Sequence, residues 1–336
     1  MCSYSYSSGV NEVQLQGKKR YRVLLYEPIH KVGLNLLSSI ADIVYPQDFT
    51  EETVLSLVND VDAIIIRGFG RVTARLMDAA PKLRVIGRHG VALDNIDVEA
   101  ARERHIYVVN TPTANTESVA EHCLGMMLEL SKCILRGDKS LRQGDWKARD
   151  RYTGQELYGK TLGIIGFGRI GQRLATICHH GFNMRIVYHD ISAVRPHSAD
   201  ELGAQKVSLD DVLRNADYVV TLLPALPTTE HLMGHREFCL MKSTAFFVNC
   251  GRGSTVDEAA LIETLRSGAI AGAGLDVFEV EPTPRDNPLF QLDNVVVTPH
   301  MAALTEEAYQ RMAMVVHDVN RVFNGEIPEH WVNPWQ

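Results

Sequence analysis

Three ionisable residues in the last third of the 336-residue chain stand just beyond runs that read as β-strands. The run 245–249 leads to Cys250-Gly251-Arg252-Gly253, 272–277 leads to Phe278-Glu279-Val280-Glu281-Pro282, and 294–298 leads to Pro299-His300. In an open parallel sheet the ligand crevice lies outside the carboxyl ends of the strands, so the three side chains could meet on one substrate. Histidine exchanges its proton near neutral pH, and a neighbouring carboxylate stabilises its charged form. A positioned acid–base of this kind contributes ~10²–10⁴ in rate. Arginine presents a planar fork to a carboxylate and stays charged throughout. Together they suit hydride reduction of a keto acid, which needs a proton for the forming alkoxide and a cation for the carboxylate. Taken singly, each has an ordinary use. His300 could be a hydrogen-bonded loop residue, Arg252 a solvated charge between glycines, and Glu281 a turn residue before Pro282. On spacing alone, Glu279 serves as well as Glu281.

Hydride chemistry needs a cofactor, and one of two Gly-rich turns offers to hold it. Gly-Phe-Gly-Arg occurs at 68–71 and again at 166–169. The first copy has Thr73 at the third-glycine position and no acidic residue about 20 positions onward, where the dinucleotide fingerprint needs one. It reads as an ordinary strand-to-helix turn. The second follows the apolar run 161–165, continues as Gly166-Phe167-Gly168-Arg169-Ile170-Gly171 into a helix over 172–178, and is followed by a strand, 185–189, ending at Asp190. Gly166 permits the tight turn, Gly168 a close approach to a pyrophosphate, and Gly171 close helix–strand packing. The helix N-terminus offers unpaired N–H groups to the phosphates. Asp190 would accept hydrogen bonds from a ribose diol and repel a 2′-phosphate, which favours NAD over NADP; Arg195 nearby tempers that preference.

These residues need a frame of parallel strands and helices. Strand-like runs fall at 21–26, 63–66, 84–87 and 106–109, then at 161–165, 185–189, 218–222, 245–249, 272–277 and 294–298. Several are continuously apolar, as strands buried on both faces are. Their alternation with helical stretches implies βαβ units. The expectation is an α/β protein with a smaller sheet before about residue 115 and a larger one after it. Residues 117–132 read as a helix apolar nearly all round, and hence buried, either between domains or at a subunit interface. A second long helix, 306–323, closes the chain and could pack back on the first domain.

With 45% hydrophobic and 22% charged residues the chain has the balance of a globular protein. A net charge of −7 argues against nucleic-acid or anionic-membrane partners. No apolar run reaches the roughly 20 residues of a membrane span. The six cysteines show neither a CxxC pair nor metal-ligand spacing, so no metal is expected and a reducing, cytoplasmic setting is. Residues 1–20 carry Ser and Tyr before a basic cluster, the reverse of a secretory signal, and are expected to be a flexible tail.

The chain resembles the D-isomer-specific 2-hydroxyacid dehydrogenases over about residues 21–325. The resemblance rests on Gly90-Val91-Ala92-Leu93-Asp94-Asn95-Ile96-Asp97, Asn110-Thr111-Pro112 with Val119-Ala120-Glu121, and the stretch from Gly159 through Gly171. It continues through Val248-Asn249-Cys250-Gly251-Arg252-Gly253, Leu275-Asp276-Val277-Phe278, Glu281-Pro282 and Thr298-Pro299-His300. It implies that His300 is the acid–base, Glu281 its partner and Arg252 the substrate-binding, carbonyl-polarising residue. It implies NAD held by Gly166, Gly168, Arg169, Ile170, Gly171, Asp190, Pro224, Cys250 and Asp276, with Asp276 on the nicotinamide carboxamide. The Val91-Ala92 loop would hold the substrate carboxylate, and Arg67 would hold a substrate phosphate if one is present. The implied fold is two Rossmann-like or flavodoxin-like domains. The substrate domain (21–115 plus 301–336) is interrupted by an NAD-binding Rossmann domain (116–300), through which the family dimerises.

The sequence departs from the pattern at Ala92, where many members have glycine, and at Leu223-Pro224, which replaces His-x-Pro. Arg67-Gly68-Phe69-Gly70 also lacks the Ser-x-Thr that often follows that arginine. Glu281 rather than glutamine disfavours formate dehydrogenase chemistry, and the apolar Val91 and Ala92 disfavour phosphite. Expected substrates are 3-phosphoglycerate, hydroxypyruvate or glyoxylate, or larger 2-keto acids, with pocket shape depending on the surroundings of Arg67, His89 and Trp146 or on a partner subunit. The alternative is an NAD-sensing corepressor-like scaffold of the same fold, which would keep the same trio.

Overall fold

The computed structural model describes residues 20–191 and 196–335. All of the expected tail except Arg20, and also Arg195, lie outside the described residues.

Two wholly parallel sheets carry the chain. The first contains β1 (Tyr21–Leu25), β2 (Ala41–Val44), β3 (Ala63–Ile66), β4 (Val85–Arg88) and β5 (Tyr107–Val109), in the order β2-β1-β3-β4-β5. The second contains β6 (Thr161–Ile165), β7 (Arg185–His189), β8 (Gln205–Lys206), β9 (Tyr218–Thr221), β10 (Phe246–Asn249), β11 (Gly272–Leu275) and β12 (Val295–Val297), in the order β12-β11-β10-β9-β6-β7-β8. Central strands such as β3, β6, β9 and β10 are buried at every residue, which is why their sequences run apolar without alternation. In the second sheet the strand order reverses between β6 and β9. That switch point is where an open α/β sheet leaves a crevice, and the Gly-rich turn opens there.

The helix Thr116–Lys132 packs on the second sheet: Val119, Cys123, Met126 and Met127 share a core with Leu162, Ile164, Val220 and Val248. The chain then returns to the first sheet, where Val315, Val316, Val319 and Phe323 join Val23, Leu25, Ile65 and Val85. The second unit is thus inserted into the first.

Two expectations need correction. Strands β2 and β8 are absent from the sequence reading; β2 is a four-residue edge strand pairing Tyr21 with Ala41, and β8 is an exposed pair of polar residues beside Val187 and Tyr188. The closing helix is two helices, Glu306–Ala313 and Val315–Phe323. At Met314 the backbone tightens, its N–H reaching the carbonyls of Arg311 and Met312. The break lets Ala308 and Met312 pack on Ala114 while the valines of the second helix face the sheet.

Candidate active site

At the end of β6 the chain turns through Gly166, whose φ of +94° favours glycine and where a Cβ would lie 2.8 Å from the carbonyl oxygen of Leu222. The Gly166 N–H donates to His189 O at 2.9 Å, tying the turn to β7. Phe167 is buried and stacks on Tyr188, and its N–H donates to Asp190 Oδ2 at 2.7 Å. Asp190 is therefore anchored at the tip of the second strand. The helix Arg169–Phe182 starts at Gly168 without a side-chain cap, so its first N–H groups remain available. A Cβ on Gly168 would meet nothing within 4 Å, whereas one on Gly171 would lie 2.6 Å from Gly166 O. Gly166, Gly168, Arg169, Ile170, Gly171 and Leu222 form one wall of a crevice; Val91, Pro112, Asn115 and Thr116 form the other. An open backbone cradle, a free helix N-terminus and a carboxylate on the next strand fit a dinucleotide. Pro224 is exposed in the loop after β9, its carbonyl accepting from Thr229 Oγ1 at 2.7 Å. The Cys250 thiol turns inward against Met126 and Cys123, and its hydrogen bond with Cys123, reinforced by burial, pushes it up.

Beyond β10, β11 and β12 the structure brings the ionisable residues together. His300 Nδ1 lies 2.7 Å from Glu281 Oε2, and Glu281 Oε1 accepts from the Phe278 N–H at 3.0 Å. Glu279 is engaged elsewhere, with His231 at 2.8 Å and the Glu258 N–H at 3.1 Å. Geometry therefore pairs Glu281 rather than Glu279 with His300. Burial raises the Glu281 carboxyl, but its hydrogen bonds from His300 and Phe278, with the charges of His300 and Arg252, outweigh this and hold it below its ordinary range.

His300 adopts a left-handed backbone (φ 49°), and its N–H donates to Asp276 O at 2.7 Å. The buried Asp276 carboxylate accepts from Thr298 Oγ1 (2.6 Å), Met301 N (2.8 Å) and Ala302 N (2.9 Å), so it holds the segment that carries His300. One face of the helix Thr116–Lys132 grips the same segment: Ser118 Oγ donates to Ala302 O at 2.6 Å, and His122 Nε2 meets Thr298 Oγ1 at 3.0 Å.

Arg252 reaches across to the first unit, with Nη2 2.9 Å and Nε 3.2 Å from Asp94 Oδ2. Val91 and Ala92 sit half-buried on the loop leading to Asp94. Arg67 donates to Tyr309 Oη at 2.8 Å, lies over its ring, and stands 4.0 Å from the buried Glu27. Glu27 Oε2 in turn accepts the N–H groups of Gly68 and Phe69 at 2.5 and 2.9 Å. His89 packs on Tyr309, and burial with the charges of Arg67 and Arg88 pushes it down to about 3. Sequence reasoning missed Glu27, Tyr309 and the pairing partner of Arg252. Asp94 lay inside a recognised stretch; Glu27 and Tyr309 carry no local pattern, because each meets Arg67 only through the fold.

The nucleotide cradle beside an Arg–Glu–His constellation defines an α/β oxidoreductase. Comparison gives the family. The D-isomer specific 2-hydroxyacid dehydrogenase, NAD binding domain, matches residues 124–302. The chain is 41% identical over 314 residues to a D-3-phosphoglycerate dehydrogenase of Methanocaldococcus jannaschii, covering 93% of this chain but 59% of that protein. It is 41% identical over 323 residues to a glyoxylate reductase of Pyrococcus furiosus, covering 93% and 95% of the two chains. A D-lactate dehydrogenase from Aquifex aeolicus, solved with NAD and lactic acid, superposes with a TM-score of 0.84 at 26% identity, over 94% of this chain and 100% of that one. The chain belongs to the D-isomer-specific 2-hydroxyacid dehydrogenase family of NAD-dependent oxidoreductases. Among the described residues no helix is long and apolar enough to cross a membrane.

Proposed function

We propose that this enzyme interconverts a small, unphosphorylated 2-keto acid of the glyoxylate or hydroxypyruvate class and its D-2-hydroxy acid. The observation that carries the chemistry is the 2.7 Å bond between His300 Nδ1 and Glu281. It fixes the ring and leaves Nε2 to give a proton to the carbonyl oxygen during reduction and to take it back during oxidation. Bound NADH supplies the hydride. Arg252 turns its fork from Asp94 to the substrate carboxylate and carbonyl, and the Val91–Ala92 loop holds the carboxylate. Residues 21–115 with 301–336 serve as the substrate domain, and 116–300 as the cofactor domain.

The choice of substrate rests on Arg67. Its guanidinium is engaged by Tyr309 and faces Glu27, and Glu27 fills the Gly68–Phe69 amides that a phosphate would otherwise take. Reading against 3-phosphoglycerate follows from that charge balance. Ile134, Leu135, Leu141 and Trp146, all exposed and on elements following the helix Thr116–Lys132, are apolar side chains that a homodimer through the cofactor domain would bury. The free thiols among the described residues suit the cytoplasm.

The test is NADH oxidation against glyoxylate, hydroxypyruvate, phosphohydroxypyruvate and bulkier keto acids, with NADPH in parallel. The expected result is turnover of the small unphosphorylated acids with NADH. Preference for phosphohydroxypyruvate would overturn the substrate assignment, and tight NADH binding without any turnover would favour the scaffold alternative.

A further inference from the structure

The loop that follows β4 is arranged with every carbonyl facing protein. His89 O accepts from Arg88 Nη1 at 2.7 Å, and Ala92 O accepts from Arg88 Nε at 2.6 Å. Between them, Gly90 O accepts from the Thr111 N–H at 3.0 Å, and Val91 O accepts from Asn110 Nδ2 at 2.7 Å. Four consecutive carbonyls are therefore taken. Among the described residues, the N–H groups of Gly90, Val91 and Ala92 have no acceptor. Gly90 makes this possible with a φ of +132°, a conformation in which a side chain would be strained. Successive amides freed in this way form a concavity that attracts anions, and Val91 lines the crevice opposite the Gly-rich turn.

Arg88 is the one side chain that closes this loop at both ends. It is half-buried, and among the described residues no carboxylate lies within ion-pair distance of it. Burial and the neighbouring Arg252 charge lower its guanidinium to about 10, which leaves it a cation at neutral pH. It has the two donors of a rigid fork at a spacing that a lysine ammonium cannot span.

We propose that Arg88 is a positioning residue for the substrate carboxylate: by pinning His89 O and Ala92 O it turns the loop's amides toward the crevice and sets a positive charge behind them. This rests on the keto-acid reading above. Arg88 does not touch the reacting carbon, so its loss weakens ground state and transition state alike and appears in KM rather than kcat.

The experiment uses the full-length enzyme, with oxamate as probe for the carboxylate subsite in the NADH complex and with steady-state kinetics on the best keto acid. Arg88→Met should raise the oxamate Kd and the KM roughly 10²-fold, with kcat changed less than about 10-fold and the NADH Kd unchanged, as expected for the loss of two charge-assisted bonds and a charge. Arg88→Lys keeps the charge and one bond, and should recover about half of that loss on a logarithmic scale. An Arg88→Met enzyme that binds NADH normally and oxamate within twofold of wild type would overturn the proposal. If Arg88→Met does not fold, Arg88→Lys decides: roughly tenfold weaker oxamate supports the role, and wild-type affinity overturns it. Wild-type protein that neither turns over a keto acid nor binds oxamate would instead overturn the underlying functional reading.

Discussion

Gly168→Ala should leave the nucleotide-free protein nearly as stable as wild type while weakening NADH, whereas Gly171→Ala should do its damage without nucleotide. Gly168 sits at φ −73° and ψ −161°, where alanine is at ease, and its added methyl would meet no atom within 4 Å. Alanine stiffens the unfolded chain by about 0.4–1 kcal/mol and is a poorer helix N-cap by a few tenths or somewhat more, so the net change stays within about 1 kcal/mol. A methyl on Gly171 would stand 2.6 Å from Gly166 O and 3.1 Å from Ile164 Cγ2. The first contact is backbone within a turn that is already constrained, so overpacking of about 1–3 kcal/mol is expected. With NADH bound the order reverses. The open space at Gly168 is where the fingerprint would bring a pyrophosphate closest, and the same ~1–3 kcal/mol would become a roughly 5–150-fold weaker Kd. Urea unfolding of the nucleotide-free variants and NADH fluorescence titration separate the two effects. Equal loss of stability in both variants, or an NADH Kd for Gly168→Ala within twofold of wild type, would refute the reasoning.

Glu281→Gln should lower kcat/KM for reduction by about tenfold or more, because the amide no longer fixes the His300 ring through a charge-assisted bond. Steady-state kinetics on the best keto acid check this; a kcat/KM within twofold of wild type would count against the pair. Because the Glu281 carboxyl is lowered from its ordinary 4.5, the stability it contributes is full above that value and lost as pH falls through the lowered one; acid titration of wild type against Glu281→Gln should show the difference in that window. Asp190→Ala should weaken NADH and narrow its advantage over NADPH, and an unchanged ratio of the two affinities would remove Asp190 from the ribose site. Ser118→Ala and His122→Phe should each reduce kcat severalfold with NADH affinity intact, by loosening the segment 298–302; variants with normal kcat would show that Asp276 holds that segment alone.

The geometry of the Gly-rich turn was legible because its determinants are local: Gly166, Gly171 and Asp190 act through bonds and packing within one βαβ unit. Arg252, Glu281 and His300 were legible as a group because each follows a strand of the same parallel sheet. Spacing could not separate Glu281 from Glu279, two residues apart on one loop; the turn at Phe278, whose N–H bonds Glu281, decides it. What stayed hidden joins distant segments. Glu27, Arg67 and Tyr309 come from two strand ends and the first closing helix, and only the return of the chain to the first sheet brings Tyr309 to Arg67. The split at Met314 was equally silent, since no glycine or proline marks it. Strand β8 has no apolar signature because its two residues are exposed at a sheet edge.

The ion pair between Arg252 and Asp94 would make the proposed substrate binding an exchange of counter-ions. Arg252 already holds a carboxylate from the other unit, so under the proposed function an incoming keto acid would replace one anion with another at the same guanidinium. The resident pair is partly exposed, so dissolved salt would screen it and an incoming pairing at the same guanidinium alike. Raising ionic strength shortens the screening length from about 10 Å at 0.1 M to 3 Å at 1 M, yet the difference between the two pairings changes little. The Arg252 contribution to keto-acid affinity should therefore be nearly flat across that range, leaving the salt dependence to Arg88, which has no ion-pair partner among the described residues, and the free enzyme would carry its own internal competitor for the substrate.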